Sequence, residues 1–180
     1  MIKVTTEPTS EPVDADYIKD YLHWIDTDAA TDAIITDYIS AAREEIEKQA
    51  NLSLVSKSYS QWMYPENLQK RSIDLMYPPH HTIDEVVRID SEGNETILAL
   101  NNGYNLEKGK RYRITFSQVG FHRVDFQSGY GTDYGQSLPT LLKVAIAELV
   151  GQWYEGSVEF GIISDAVIAK VQKFSMNTLV

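Results

Sequence analysis

Residues 124–155, VDFQSGYGTDYGQSLPTLLKVAIAELVGQWYE, decide how this chain is built. The stretch reads as a strand, a glycine-broken turn and a long apolar helix. Val124 and Phe126 alternate with polar neighbours, the period-2 pattern of a half-buried strand. Gly129, Gly131 and Gly135 accept the positive φ that a sharp turn requires. Pro139 suits a first helical turn, where the N–H it lacks would have no helical partner. A helix over 138–155 follows. Nothing in the stretch offers chemistry, so it reads as packing architecture and turns the search for function toward assembly.

Working outward, the N-terminal third is helical. Residues 1–13 read as an extended arm, because Pro8 and Pro12 oppose a helix. Asp14 caps a short helix over 15–24, with Tyr17, Ile18, Tyr21 and Leu22 on one side. Asp26, Thr27 and Asp28 form a polar break. A longer helix over 29–50 carries Ile35, Tyr38, Ile39, Ala42 and Ile46 three or four apart, and Asn51 is placed to end it in the left-handed region. The middle of the chain changes character. Strands are expected over 56–64, 72–76, 83–90, 96–100, 104–106 and 111–116, with Pro78 and Pro79 ending the second and SEGNE turning the third into the fourth. After the long helix, Gly156 and Gly161 mark a joint, and a last helix is expected over 164–174. Helices, then strands, then helices argue for an α+β fold: a helical base from both ends of the chain carrying a central antiparallel β subdomain over about 56–130. The expected organisation is an arm (1–13), one α+β domain (14–155) and a C-terminal partner-docking segment (156–180).

Composition narrows the function. At 180 residues and 43% apolar content the chain suits one globular domain, and without cysteine it has no disulfide, thiolate metal site or cysteine nucleophile. The start of the chain lacks a basic region followed by an apolar run, and no apolar run approaches the roughly 18 residues of a membrane span. The net charge of -10 is uneven: residues 1–50 hold 12 acids against 4 bases. Such a surface repels phosphate backbones and argues against tight nucleic-acid binding.

Residues that carry chemistry elsewhere have plain structural readings here. His80 and His81 precede Asp84 and Glu85, the best version of a metal-dependent hydrolase, yet the Pro78–Pro79 turn explains the same cluster. The glycines at 129, 131 and 135 lack both GxGxxG spacing and a GK[ST] ending, and Tyr130 and Tyr134 crowd a phosphate. No catalytic residue, metal ligand or cofactor is assigned. Lys108, Lys110, Arg111, Arg113 and Arg123 form a local basic group with Tyr112 and Phe116 interleaved. It reads as a solvated strand face, as an interface with the acidic helices of a neighbouring subunit, or as a base-stacking surface. Downstream, Phe160, Ile162, Ile163, Val167, Val171 and Phe174 trail the expected core and are candidates for docking on a partner.

Three motifs in order resemble the head–tail connector, or head-completion adaptor, family of long-tailed bacteriophages and prophages. The first is the helix ITDYISAAREEIEKQANLSL with Ala41, Ala42 and Arg43, where Asn51 replaces the family's usual glycine. The second is the strand–Pro-Pro–strand IDLMYPPHHTIDEVVRID, and the third is VDFQSGYG followed by LPTLLKVAIAELVGQWYE. The resemblance spans about residues 13–174. It implies a non-catalytic virion protein, made in the host bacterial cytoplasm, of which about a dozen copies form a closed ring. The ring would sit beneath the portal protein, extend the DNA channel and dock the next neck or tail protein. DNA would pass without specific binding, and no membrane partner is implied. The alternative within the virion is another neck or tail-completion protein.

Overall fold

A computed structural model describes residues 1–24, 28–64, 71–131 and 135–175. Among the described residues four helices and eight strands follow the expected α+β order. The chain divides into two compact units: a sheet unit of Met1–Pro8 and Ser56–Tyr130, and a helical unit of Thr9–Val55 and Gly131–Val180. The Asp26–Thr27 break, Tyr134 and residues 176–180 lie outside the described residues.

The sheet unit is built around the strand that contains Val124 and Phe126. Its strands are β1 (Ile2–Thr6), β2 (Lys57–Met63), β3 (Ser72–Asp74), β4 (His80–Ile89), β5 (Glu95–Ile97), β6 (Tyr104–Lys108), β7 (Tyr112–Phe116) and β8 (Phe121–Ser128). They form a five-stranded sheet, ordered β1-β2-β8-β4-β5, and a three-stranded sheet, ordered β3-β7-β6. Every strand pair is antiparallel. β8 is central, and its side chains alternate between half-buried and buried along its whole length. Val124 and Phe126 face inward against Gln61 and Tyr59 on one side and Val86 and Ile83 on the other. Ile114 and Phe116 of β7 join Tyr59, Val86, Val124 and Phe126 in one apolar core, so both sheets bury their inner faces on each other. Each fully buried aromatic of this kind contributes about 2–3 kcal/mol.

Residues 2–6 pair with β2, so the expected arm contains an edge strand. Ile2 pairs with Gln61 and Val4 with Tyr59. Pairing satisfies backbone groups that β2 would otherwise leave open at the sheet edge. Gln61 reaches the other sheet: its Nε2 donates to the Asp74 carbonyl at 3.1 Å, and its Oε1 accepts from the Met76 N–H at 2.9 Å. Between β4 and β5, Asp90 Oδ1 accepts from the Glu92 and Asn94 N–H groups, both at 2.9 Å, while Gly93 takes φ 87°.

The helical unit contains α1 (Ala15–Leu22), α2 (Ala29–Ala50), α3 (Thr140–Tyr154) and α4 (Asp165–Val171). The caps at Asp14 and Asn51 are as expected, and Asp28 and Ser164 add two more. Asp14, Asp28 and Ser164 cap α1, α2 and α4 by accepting backbone N–H groups, and Asn51 ends α2 at φ 54°. Pro139 sits one residue before the first turn of α3, where its carbonyl accepts from the Leu142 N–H at 2.9 Å. α3 is apolar nearly all round, burying Leu142, Ala145, Ile146, Leu149, Val150 and Trp153, because α1, α2 and α4 all pack against it. No helix among the described residues is long and apolar enough to cross a membrane.

One buried cation organises the start of this unit. Arg43 donates from Nε to Glu11 Oε2 at 2.7 Å, from Nη1 to Glu47 Oε2 at 3.2 Å and from Nη2 to Ser40 Oγ at 3.1 Å. The other oxygen of Glu47 accepts the Leu54 N–H at 2.7 Å. Burial alone would lower the Arg43 pKa, but the Glu11 hydrogen bond and the Glu47, Glu11 and Glu44 charges raise it on balance. Arg43→Ala is expected to lower unfolding stability by about 3 kcal/mol in urea titration, because it strands two carboxylates. Arg43→Lys should recover only part of the loss, since an ammonium cannot span Glu11 and Glu47 as the guanidinium fork does. In the sheet unit, a Cβ on Gly103 would lie 2.7 Å from Leu98 Cβ, which cannot swing aside. Gly103→Ala is therefore expected to cost about 1–3 kcal/mol in the same assay, and an unchanged midpoint would refute that packing argument.

Candidate functional site

The five basic residues do not form one patch. Arg113, on β7, holds Asp74 of β3 with two hydrogen bonds of 2.6 and 3.0 Å. That bond and the charges of Arg113 and Arg111 lower the Asp74 pKa, against the opposing effect of burial. Arg123, on β8 in the other sheet, is enclosed by three carboxylates: Glu95 at 2.6 Å, Asp125 at 3.0 Å and Glu85 at 3.2 Å. Arg113 and Arg123 are thus committed within their own sheets. Lys108, Lys110 and Arg111 gather at the β6–β7 hairpin tip. Lys108 Nζ lies 5.6 Å from the Tyr112 ring centroid, the contact that cross-strand pairing of these two residues produces. Lys108 and Lys110 are exposed, and among the described residues neither has an ion-pair partner. Arg111 keeps Nε and Nη2 buried without a hydrogen-bond acceptor.

The C-terminal candidates also separate. Val167 and Val171 are fully buried on the inner side of α4, so the helical unit itself covers them. Ile163 and Phe174 are half-buried, whereas Phe160 and Ile162 are 56% and 55% exposed. The segment after α3 folds back on it: Trp153 Nε1 donates to the Ile162 carbonyl at 2.8 Å, and the Phe160 ring lies 4.8 Å from Trp153 and 5.2 Å from Tyr38. Trp24 packs on Tyr154 at 4.4 Å, and Tyr38 meets Tyr154 edge-on at 6.4 Å. The result is a continuous aromatic patch of Trp24, Tyr38, Trp153, Tyr154 and Phe160. Tyr154 is 43% exposed, and Ile34, one helical turn before Tyr38, is 46% exposed. The sequence singles out Phe160 and Ile162 and puts Tyr38 in the apolar stripe of α2, while Trp24 and Tyr154 stand in it only as helix ends. The exposed Ile34 lies off the Ile35–Ile39 stripe and was the available signal.

The residues considered for metal chemistry are occupied elsewhere. His80 is buried, with Nδ1 2.7 Å from Ser128 Oγ, and its ring packs against Tyr112 and Phe126. His81 bonds the Gly129 carbonyl, Asp84 accepts from Gln127 at 3.2 Å, and Glu85 holds Arg123. Among the described residues no group of three histidines or carboxylates is placed to hold a metal ion. Gly129 and Gly135 take φ 121° and 65°, and Gly131 pairs with Gln136 across a small bridge. The glycine series is accordingly turn geometry.

No protein-family model matches the sequence. No curated protein sequence matches it. Solved structures do. A chain in the neck of an empty gene transfer agent (GTA) particle, computed with C6 symmetry, superposes with TM-score 0.78 at 22% identity. One in the virion of the native GTA particle gives 0.77 at 22%, and one in the native neck computed with C12 symmetry gives 0.75 at 23%. Each alignment covers 100% of this chain and 97% of the other. At these identities the likeness shows a shared fold along the full length.

Burial pushes the His80 pKa down to about 4 from 6.5, the Leu75 backbone hydrogen bond only partly opposing it. His122, stacked on Phe116 at 3.8 Å, is shifted the same way by burial. The unfolded chain therefore binds more protons than the folded one between about pH 6.5 and 4, and stability falls as pH drops through that window. For His80 alone the loss is about 3 kcal/mol, complete near pH 4. His80→Asn, which retains a partner for Ser128, should be less stable at neutral pH and show a shallower decline between pH 6.5 and 4. Denaturant midpoints across that range check this, and an unaltered slope would overturn the buried-neutral assignment.

Proposed function

We propose that this chain is a structural neck protein of a tailed-phage-like particle, and more specifically a head–tail connector. The observation that carries the reading is the end-to-end likeness to chains of a particle neck, at TM-score 0.78 with 100% and 97% coverage. The ordered motifs that resemble the connector family, read from the sequence alone, support it independently. So does the commitment of the histidines and buried charges to structure rather than to a reactive constellation. In this reading the protein is not an enzyme and works by occupying a place.

Copies of the chain form a ring beneath the portal protein. Necks computed with C6 and C12 symmetry, each containing a similar chain, support a cyclic arrangement of about a dozen copies. Cyclic closure requires two different surfaces on each copy, one meeting the other on its neighbour. The ring continues the DNA channel and offers its far side to the next neck or tail protein. A net charge of -10 favours passage of packaged DNA without adhesion. The protein is made in the host bacterial cytoplasm and ends in the virion neck.

Particles assembled without this chain are expected to contain DNA-filled heads lacking tails under negative-stain electron microscopy. The purified chain should bind its cognate portal in a fixed stoichiometry. Heads carrying malformed tails would favour a tail-completion role, and normal particles would refute a neck role altogether.

A further inference from the structure

The helical unit leaves part of its aromatic patch open. Ile34, Asp37 and Tyr38 share one face of α2, since residues three and four apart are neighbours on a helix. Glu155 follows Tyr154, and Glu159 precedes Phe160. Asp37, Glu155 and Glu159 are exposed, and among the described residues none has an ion-pair partner. Trp24, Tyr38, Tyr154 and Phe160 thus present ring faces and edges, and an exposed carboxylate neighbours Tyr38, Tyr154 and Phe160 in the chain. A surface of this composition suits cations carried on apolar stems. The rings attract the charge through their quadrupoles, the methylenes cover the rings, and the carboxylates meet the ends.

The chain carries such a ligand itself. Several cations among the described residues are already paired: Lys19 with Asp16, Arg43 with Glu11, Arg113 with Asp74, Arg123 with Glu95 and Lys170 with Glu148. Lys108 and Lys110 are exposed without a carboxylate, on a tight turn where Tyr112 supports Lys108 from below. The hairpin is short and its strands are fully paired from Tyr104 to Phe116, so its tip is presented on a rigid base.

We propose that the β6–β7 tip, residues 108–111, of one copy docks on the aromatic patch of the next, with Lys108 and Lys110 over the rings and toward Asp37, Glu155 and Glu159. This inference rests on the ring reading and specifies the two surfaces that meet in it. The contact is heterologous, tip to patch, which is the type that propagates around a ring.

The natural absence of cysteine makes the contact directly testable. Particles whose only source of the protein is a Lys110→Cys, Glu159→Cys double variant are purified, oxidised and run on a non-reducing gel. The expected result is a ladder at multiples of 20.4 kDa, absent from each single variant and collapsed by reductant. Intact particles that contain the chain only as monomer would overturn the contact and leave the neck role standing. A covalent band joining the chain to a different polypeptide would overturn the choice of a second copy as occupant. Normal particles without any copy of the chain would sink the neck reading and the contact together.

Discussion

The buried guanidinium of Arg43 sits where the helical unit has most to hold. The chain enters this unit at Thr9 and leaves it at Val55. Glu11 lies just inside the entry and Leu54 just inside the exit, and Arg43 and Glu47 bind both to the same stretch of α2. A buried ion pair is weak evidence for net stability, because desolvation offsets much of the attraction. Its value here is positional. An aliphatic residue could fill the space, but it would neither select Glu11 nor leave Glu47 oriented to accept the Leu54 N–H. The AAR sequence in α2 has a physical reading on these terms: Ala42 lies against the core, and Arg43 fixes the two chain ends that meet on the helix.

Local signals in the sequence translated well because they report on local physics. Asp14 caps α1 through its own side chain, and Asn51 adopts the left-handed conformation its position suggested. The period of Val124 and Phe126 placed β8 and identified its inward face. Readings that required a distant partner fared differently. Residues 2–6 alternate Ile2 and Val4, but five residues ahead of Pro8 carry no indication that β2, more than fifty residues on, completes them. Arg123 looked like part of a basic group because Lys110 and Arg113 are near it in sequence. The carboxylates that neutralise it come from β4, β5 and β8, and only the sheet order brings them together. Val167 and Val171 looked like a docking face because α4 trails the core in sequence, yet trailing in sequence does not prevent packing on α3.

The distribution of charge follows from the same logic. In a chain of net charge -10, cations are scarcer than acids and several bind the fold together. Arg43 and Arg123 each meet several carboxylates that would otherwise repel one another, and Arg113 holds Asp74. Among the described residues the surface is mostly negative, and the β6–β7 tip is one of its positive exceptions. An acidic exterior keeps copies apart at ordinary concentrations and discourages adhesion to nucleic acid.

A modest contact between tip and patch is sufficient for a ring and unsuited to a stable dimer. The aromatic patch is half-covered by its own chain, since Phe160 and the segment held by Trp153 already shield part of it. The apolar area left for a neighbour is accordingly small, and lysines over exposed rings add only about 0.5–1 kcal/mol apiece. Two copies in solution have too little to offset the entropy lost on association. In a closed ring every copy makes the contact twice, once with each surface, and the last copy closes two contacts for one loss of freedom. If a preassembled symmetric platform holds the copies at the correct radius, most of that loss is already met by their other attachment. The physical expectation is a chain that stays dispersed until its platform exists and then assembles cooperatively upon it. In the proposed ring, weak, heterologous and charge-selected contacts would favour assembly on such a platform over assembly free in solution.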